Sequence, residues 1–225
     1  MSVGRDGYRA GKRWMAIAAC LMLAACGVGG GVGTDGQRLL PPMPGLDPGG
    51  AEALASEGAA RVQLDLLDAG TSALLVRVGG SRGVTRWRTV DNTQVHTRDG
   101  LVIGTRGLSF DLMTADTREA AAAILGGRAA RVTRFHTYLD GDDRTRTRAY
   151  VCDIEPLGAE ETLVPDGRVI AGLMVRETCH NPERDFTNLH LLGNGRIVRS
   201  LQFISDRAGR AQILFPPSRG PLEMQ

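Results

Sequence analysis

Leu23-Ala24-Ala25-Cys26 is the first stretch whose residue types and order point to a specific reaction. An aliphatic residue, two small ones and a cysteine make a lipobox. The small side chains let an extended chain enter a narrow peptidase cleft, and the Cys26 thiol takes a diacylglycerol as a thioether before cleavage. Each buried CH₂ is worth about 0.8 kcal/mol, so two or three acyl chains anchor durably where one does not. The preceding residues agree with this. Arg5, Arg9, Lys12 and Arg13 form a positive leader broken only by Asp6, and a charge-free apolar run from Trp14 to Leu23 follows. A membrane-spanning helix needs about 20 apolar residues, so this run is too short. Residues 1–25 read as a secretory signal, and Cys20 leaves with it.

Cys152 and Cys179 remain in the exported part. In an oxidising compartment an isolated pair reads as a disulfide, against two free thiols or one nucleophile. The histidines are His96, His136, His180 and His190; no two are three or four residues apart, so a helical zinc pair is excluded. His180 beside Cys179 makes a thiol–imidazole couple only if Cys179 is free. Asp140-Gly141-Asp142-Asp143 is dense in carboxylates, but Arg144, Arg146 and Arg148 follow where a calcium loop would place further oxygen ligands. It reads as a charged hairpin tip, and no metal or cofactor is expected. Asp111, Asp153, Glu155 and Glu177 could supply a glycosidase acid pair, whereas no Gly-x-Ser-x-Gly elbow is present.

Removing the leader changes the charge. It carries 4 of the 27 basic residues and 1 of the 25 acidic ones, leaving 23 against 24, a net charge of −1. No basic field remains to steer nucleic acid. Lys12 is the only lysine, and with abundant Ala and Gly the arginines reflect GC-rich coding rather than phosphate binding.

The elements that must hold these residues are mostly strands. Residues 26–50 read as the lipidated cysteine plus a Gly- and Pro-rich tether, residues 51–216 as one folded domain, and 217–225 as a disordered tail. Val62, Leu64 and Leu66 alternate with polar neighbours, as do Leu75, Arg77 and their flanks. Further strands are expected at 84–90, 93–98, 101–105, 131–139, 145–154, 168–178, 186–192, 195–204 and 210–215. Asp99-Gly100, Asp140-Gly141, Asp166-Gly167, Gly193-Asn194-Gly195 and Ala208-Gly209 supply turns between them. Only 116–126 reads as a helix, with Asp116 as an acidic cap. The expected fold is mainly β, an antiparallel barrel-like single domain with one short helix. Side-chain parity puts Tyr150, Cys152 and Ile154 on one face and Val175, Glu177 and Cys179 on another, so two adjacent strands could be stapled and Glu177 would lie among apolar residues. After residue 105 the segment from Trp87 to Met113 reads as an irregular loop, with Gly107 free to take a positive φ and Arg106 and Asp111 spaced to brace it by charge.

These blocks resemble the YjbF/GfcB family of lipoproteins linked to capsule and exopolysaccharide production. The first block is carried by Trp87, Thr89, Gly100, Leu101, Thr105, Arg106, Gly107, Leu108, Asp111, Leu112 and Met113, with Ser109 where glycine is usual. The second is carried by Glu177, Cys179, Phe186, Asn188, Gly195, Ile197, Ser200 and Gln202, with His190 for the usual tyrosine and Phe203 for the usual tryptophan. The resemblance implies a β-rich domain tied to surface-polysaccharide export or assembly. Outer-membrane and periplasmic export proteins would be its partners, with polysaccharide as a further one, and no enzymatic activity is implied. Trp87, Arg106, Gly107, Asp111, Glu177, Asn188 and Gln202 are the candidate binding or loop-bracing residues. Gly27 is not the aspartate that retains lipoproteins at the inner membrane of enteric bacteria, so outer-membrane anchoring facing the periplasm is expected.

Three functions follow as expectations. The leading one is an accessory lipoprotein that binds a partner protein or glycan. The alternatives are a polysaccharide hydrolase using Asp111 and Glu177, and a lipid carrier with an apolar barrel cavity of several hundred Å³.

Overall fold

A computed structural model describes residues 39–46, 59–108, 110–139 and 144–215. The signal segment, Cys26, Ser109, the Asp140–Asp143 tip and the C-terminal tail lie outside the described residues. The first six strands are β1 (Arg61–Leu66), β2 (Thr71–Ser81), β3 (Val84–Arg88), β4 (Gln94–Arg98), β5 (Leu101–Arg106) and β6 (Leu112–Asp116). Helix α1 (Arg118–Leu125) follows. Then come β7 (Ala130–Leu139), β8 (Thr145–Leu163), β9 (Val169–His180), β10 (Asp185–Gly193), β11 (Arg196–Ser205) and β12 (Gly209–Leu214). Among the described residues no helix is long and apolar enough to cross a membrane.

All twelve strands form one antiparallel sheet in the order β5-β4-β3-β2-β1-β12-β11-β10-β9-β8-β7-β6. Successive strands pair with each other except β5 and β6, and β1 pairs with β12, which joins the two halves of a meander. The sheet curls into a nearly closed barrel. Its two edges, β5 and β6, lie against each other without a backbone ladder. The mainly β, single-domain expectation holds.

Apolar side chains pack together in the interior. Leu75, Leu101, Leu112, Ile124, Tyr138, Ile204 and Ile213 are each at most 1% exposed. Helix α1 adds Ala120, Ala121, Ala123 and Ile124 to the same apolar cluster. Its small side chains let it approach β7 and β8 closely. An acyl chain would have to displace this packing.

Several local expectations need correction. The start of β6 was expected as irregular loop; four of its five residues pair with β7, from Leu112 with Tyr138 to Asp116 with Phe135, a tertiary contact that overrides the missing turn signal. Because β6 runs through Asp116, the helix is shorter than 116–126 and Thr117 takes the N-cap position. The Asp116 carboxylate still accepts the Arg118 amide at 3.2 Å. β8 does not end at Ile154. A register shift at Pro156 to Gly158 absorbs the residue that lacks an N–H, and the β8–β9 pairing continues to Leu163 opposite Val169.

The stretch expected as free tether is partly docked. Leu40 is buried in an apolar cluster with Met174, Leu189, Leu191 and Leu201 on the outer face of β9–β11. The Gln63 carboxamide donates to the Pro44 carbonyl at 2.8 Å, and Arg199 donates to that of Pro41. Composition marks this stretch as a linker, but one leucine with two proline carbonyls free to accept is enough to pin it.

Candidate functional site

The alternation of β7 places Arg134, His136 and Tyr138 inside the barrel, with Arg134 opposite Tyr150 and Val132 opposite Cys152 of β8. β9 contributes Val175, Glu177 and Cys179, β10 contributes Phe186, Asn188 and His190, and β11 contributes Ser200 and Gln202. Cys152 pairs with Cys179 in register and the two form a disulfide, with Cα atoms 4.0 Å apart. The expected staple and the expected position of Glu177 are both present. With both sulfurs in the disulfide, no free Cys179 thiol is left to pair with His180. Cys152, Glu177 and Cys179 bring three potential ligand atoms within 4.8 Å of one another, but the disulfide sulfurs offer no thiolate to a metal.

Glu177 is the hub of a buried polar network. Its Oε2 accepts Arg134 Nη1 at 2.7 Å and Asn188 Nδ2 at 2.7 Å, with His190 Nε2 at 3.4 Å. Burial alone would raise its pKa. The Arg134 charge, together with His190 and Asn188, outweighs this and holds the carboxyl well below the usual range. The network continues outward from Arg134: Nε donates to His136 Nε2 at 2.9 Å, His136 Nδ1 lies 2.8 Å from the Tyr138 hydroxyl, and that hydroxyl donates to the Ile204 carbonyl at 3.1 Å. An arginine always donates, so Nε2 of His136 accepts and its proton is on Nδ1. The ring is neutral, and burial with the Arg134 charge pushes its pKa well below the ordinary value.

Asn188 and Gln202 act as substitute peptide groups. Asn188 Oδ1 accepts the Phe203 amide at 2.7 Å. Gln202 accepts the Val102 amide at 2.9 Å and donates to the Gly100 carbonyl at 2.9 Å and to Ser200 Oγ at 2.8 Å. This ties β11 across the interior to the β4–β5 turn. A Cβ at Gly100, whose φ is +84°, would stand 2.7 Å from Ile197 Cβ, so the turn needs glycine.

The first motif block closes the barrel. Asp111 accepts Thr105 Oγ1 at 2.8 Å, the Gly107 amide at 2.8 Å and the Leu108 amide at 3.1 Å. Thr105 Oγ1 in turn accepts the Leu112 amide at 3.0 Å, bridging the unladdered edges of β5 and β6. Arg106 does not brace Asp111 by charge, as spacing suggested; its Nη1 donates to the Thr105 carbonyl and reaches that of Leu112 at 3.5 Å. The carboxylate is already taken by nearer donors. Gly107 has φ +89° and Phe110 φ +88°, a conformation a bulky residue rarely adopts. Phe110 holds it by stacking on Tyr138 at 5.4 Å. Trp87 is buried, with Nε1 donating to Thr97 at 2.8 Å.

Asp111 and Glu177 therefore serve different assemblies, the seam and the interior. Glu177 is shut off from solvent and ion-paired with Arg134, and its carboxyl is held below the usual range.

The sequence reading missed the mouth of the barrel near Tyr138 and Phe203. Arg146, Glu183, Arg148, Asp206 and Arg184 form a chain of ion pairs at 2.8, 3.0, 2.8 and 2.8 Å. Below it lie Tyr150, Phe186 and Phe203, with Phe186 stacked on Phe203 at 4.7 Å and Arg184 over the Phe203 ring. A cleft of about 360 Å³ opens beside them, lined among others by Arg184, Phe186, Phe203, Asp206 and Arg210. A second groove, of about 310 Å³, lies on the outer face around Phe135. The parity of β7 was the available signal: inward Arg134, His136 and Tyr138 force Phe135 outward.

A family model described as "Group 4 capsule polysaccharide lipoprotein gfcB, YjbF" matches residues 52–214. The chain belongs to the YjbF family. Its fold is similar to that in the crystal structure of the hypothetical lipoprotein YmcC from Escherichia coli (K12). The two are 18% identical with a TM-score of 0.63, and the match covers 75% of this chain and 89% of that one. No curated protein matches the chain. The YjbF family is one of capsule-polysaccharide lipoproteins, and in this member Glu177, Asn188 and Gln202 hold the barrel together from within.

Proposed function

We propose that this YjbF-family protein is an accessory factor of surface-polysaccharide assembly or export, anchored through Cys26 to the outer membrane and facing the periplasm, which acts by binding rather than catalysis. The supporting observation is that the motif's polar side chains are spent inside or along the seam of a packed barrel. Glu177, Asn188 and Gln202 hold other parts of the protein, and Asp111 holds its own loop. What remains to meet a partner is the outer surface and the charged mouth. The near-neutral mature charge fits a glycan or protein partner and not nucleic acid.

The test is a deletion strain complemented with the wild-type chain or with Cys26→Ser. Surface polysaccharide is quantified and sized, and palmitate labelling and membrane fractionation follow the protein. Loss of polymer or altered chain length on deletion, with poor rescue by C26S, is the expected result. Unchanged polysaccharide in the deletion strain would overturn the reading.

A further inference from the structure

Phe135 is on the wrong side of its strand for a core residue. Its neighbours Arg134 and His136 are 1% and 0% exposed, while Phe135 itself is 43% exposed. Register puts it beside Asp116 of β6 and Ala149 of β8. The same outer face carries Thr114, Thr137 and Thr147, the last two hydroxyls 2.9 Å apart. Among the exposed large hydrophobic side chains of the described residues, Phe135 is the aromatic one, and it stands among threonine hydroxyls.

The groove around the ring is built from charged groups of different status. Arg118 grips Asp116 with two bonds, of 3.0 and 2.6 Å. Arg98, at the end of β4 across the seam, lines the groove; its side chain makes no hydrogen bond or close ion pair among the described residues, and its charge acts on Asp116. Two guanidinium groups thus line the groove with one carboxylate, and the Glu119 carboxylate acts on Arg118 from its margin. The mouth cleft differs: its Phe186 and Phe203 rings are 8% and 5% exposed, and Arg184 and Arg210 are paired with Asp206 and Asp68.

We propose that this groove binds an acidic sugar residue of a polysaccharide chain. The Phe135 ring stacks on the C–H face of the pyranose, and Thr114, Thr137 and the Asp116–Arg118 pair hydrogen-bond its hydroxyls. Arg98 takes its carboxylate. This rests on the reading that the protein acts in polysaccharide assembly, and it names the glycan as the partner. A flat aromatic face suits the apolar side of a sugar, a planar guanidinium suits a carboxylate, and hydroxyls at the margin replace water.

The lipidated chain in detergent is titrated with surface polysaccharide from the cells that make it, separated by anion exchange into acidic and neutral fractions. Binding to the acidic fraction, weakening with salt, is expected. Phe135→Ala and Arg98→Ala should each weaken it by about three- to tenfold, Phe135→Trp should strengthen it, and Val169→Ser at the far β8–β9 tip should leave it unchanged. Phe135 and Arg98 are outside the core, so unchanged thermal melting confirms that the variants fold. Absence of binding to either fraction, equal binding to both, or variants that bind like wild type would each overturn the proposal. In cells the two readings separate. If deletion alters the polysaccharide but the F135A/R98A double variant complements fully, the groove is wrong and the accessory role stands. If deletion itself has no effect, the accessory role falls.

Discussion

The carboxamide of Gln202 completes the backbone hydrogen bonding of Val102, one hundred positions earlier in the chain. It accepts the Val102 amide and donates to the Gly100 carbonyl, as a neighbouring strand would. Gln202→Leu keeps the volume but leaves the buried Val102 amide and the half-buried Gly100 carbonyl without partners. Each orphan costs about 1–3 kcal/mol, so urea denaturation should show a loss of roughly 2–5 kcal/mol. Gln202→Glu should not rescue it, because a carboxylate cannot donate to the Gly100 carbonyl. A loss below about 0.5 kcal/mol for Q202L, the range of ordinary surface substitutions, would show that the bridge is dispensable.

Acid should destabilise the barrel in two stages. His136 has a folded pKa well below its unfolded one, so the unfolded chain takes up the proton first. Its contribution is full above about pH 6.5 and declines as pH falls below that. Glu177 is likewise depressed, and its contribution is full above about pH 4.3 and declines as pH falls further towards its folded value. Each group adds a slope of up to about 1.4 kcal/mol per pH unit within its window. His136→Gln should flatten the stability profile between pH 6.5 and 4.5. Glu177→Gln should flatten it below pH 4.3 and, by leaving Arg134 buried without its anion, cost about 3–5 kcal/mol at pH 7. Parallel pH profiles for wild type and both variants would contradict the network.

The legible part of this fold follows from period-two patterning and turn chemistry. Val62-Gln63-Leu64, Asp99-Gly100 and Gly193-Asn194-Gly195 are local signals, and each falls where a strand or hairpin forms. Parity also placed Cys152, Cys179 and Glu177 correctly, because alternation survives in a long ladder. β6 was illegible because its strand character comes from β7 and the seam. The Asp111 brace was half legible: spacing identified the residue, but Arg106 attracted attention as a charge while the true donors are backbone amides and Thr105. The interior of β7 was misleading by hydrophobicity alone, since Arg134 and His136 go in and Phe135 goes out. Only knowledge of Glu177 as a buried partner makes an inward arginine favourable.

The disulfide should resist reduction in the folded protein. Both cysteines are 0% exposed and packed with Tyr150, Phe186 and Phe203. Dithiothreitol without denaturant should leave the thiols unavailable to maleimide, and adding urea should release two. Cys152→Ala/Cys179→Ala removes a cross-link spanning 27 residues, worth about 3.5 kcal/mol in the chain-entropy model. Rapid maleimide labelling under native reducing conditions would mean that this end of the barrel opens readily.

Asp111 sets how tightly the barrel is closed. Its carboxylate holds the Gly107 and Leu108 amides and the Thr105 hydroxyl, and that hydroxyl in turn holds the Leu112 amide across the gap between β5 and β6. With no ladder there, removing the carboxylate frees the loop and the bridge together. Asp111→Ala should cost about 2–3 kcal/mol, since hydrogen bonds to a charged group are worth about 1.5–3 kcal/mol. Its signature should be local: amide exchange accelerates over residues 105–113, while β8 to β10 remain protected. Thr105→Val should accelerate the Leu112 amide yet leave Gly107 protected, because Asp111 still holds that amide. Uniform acceleration across the whole sheet in D111A would place the residue in the global core and not at the seam.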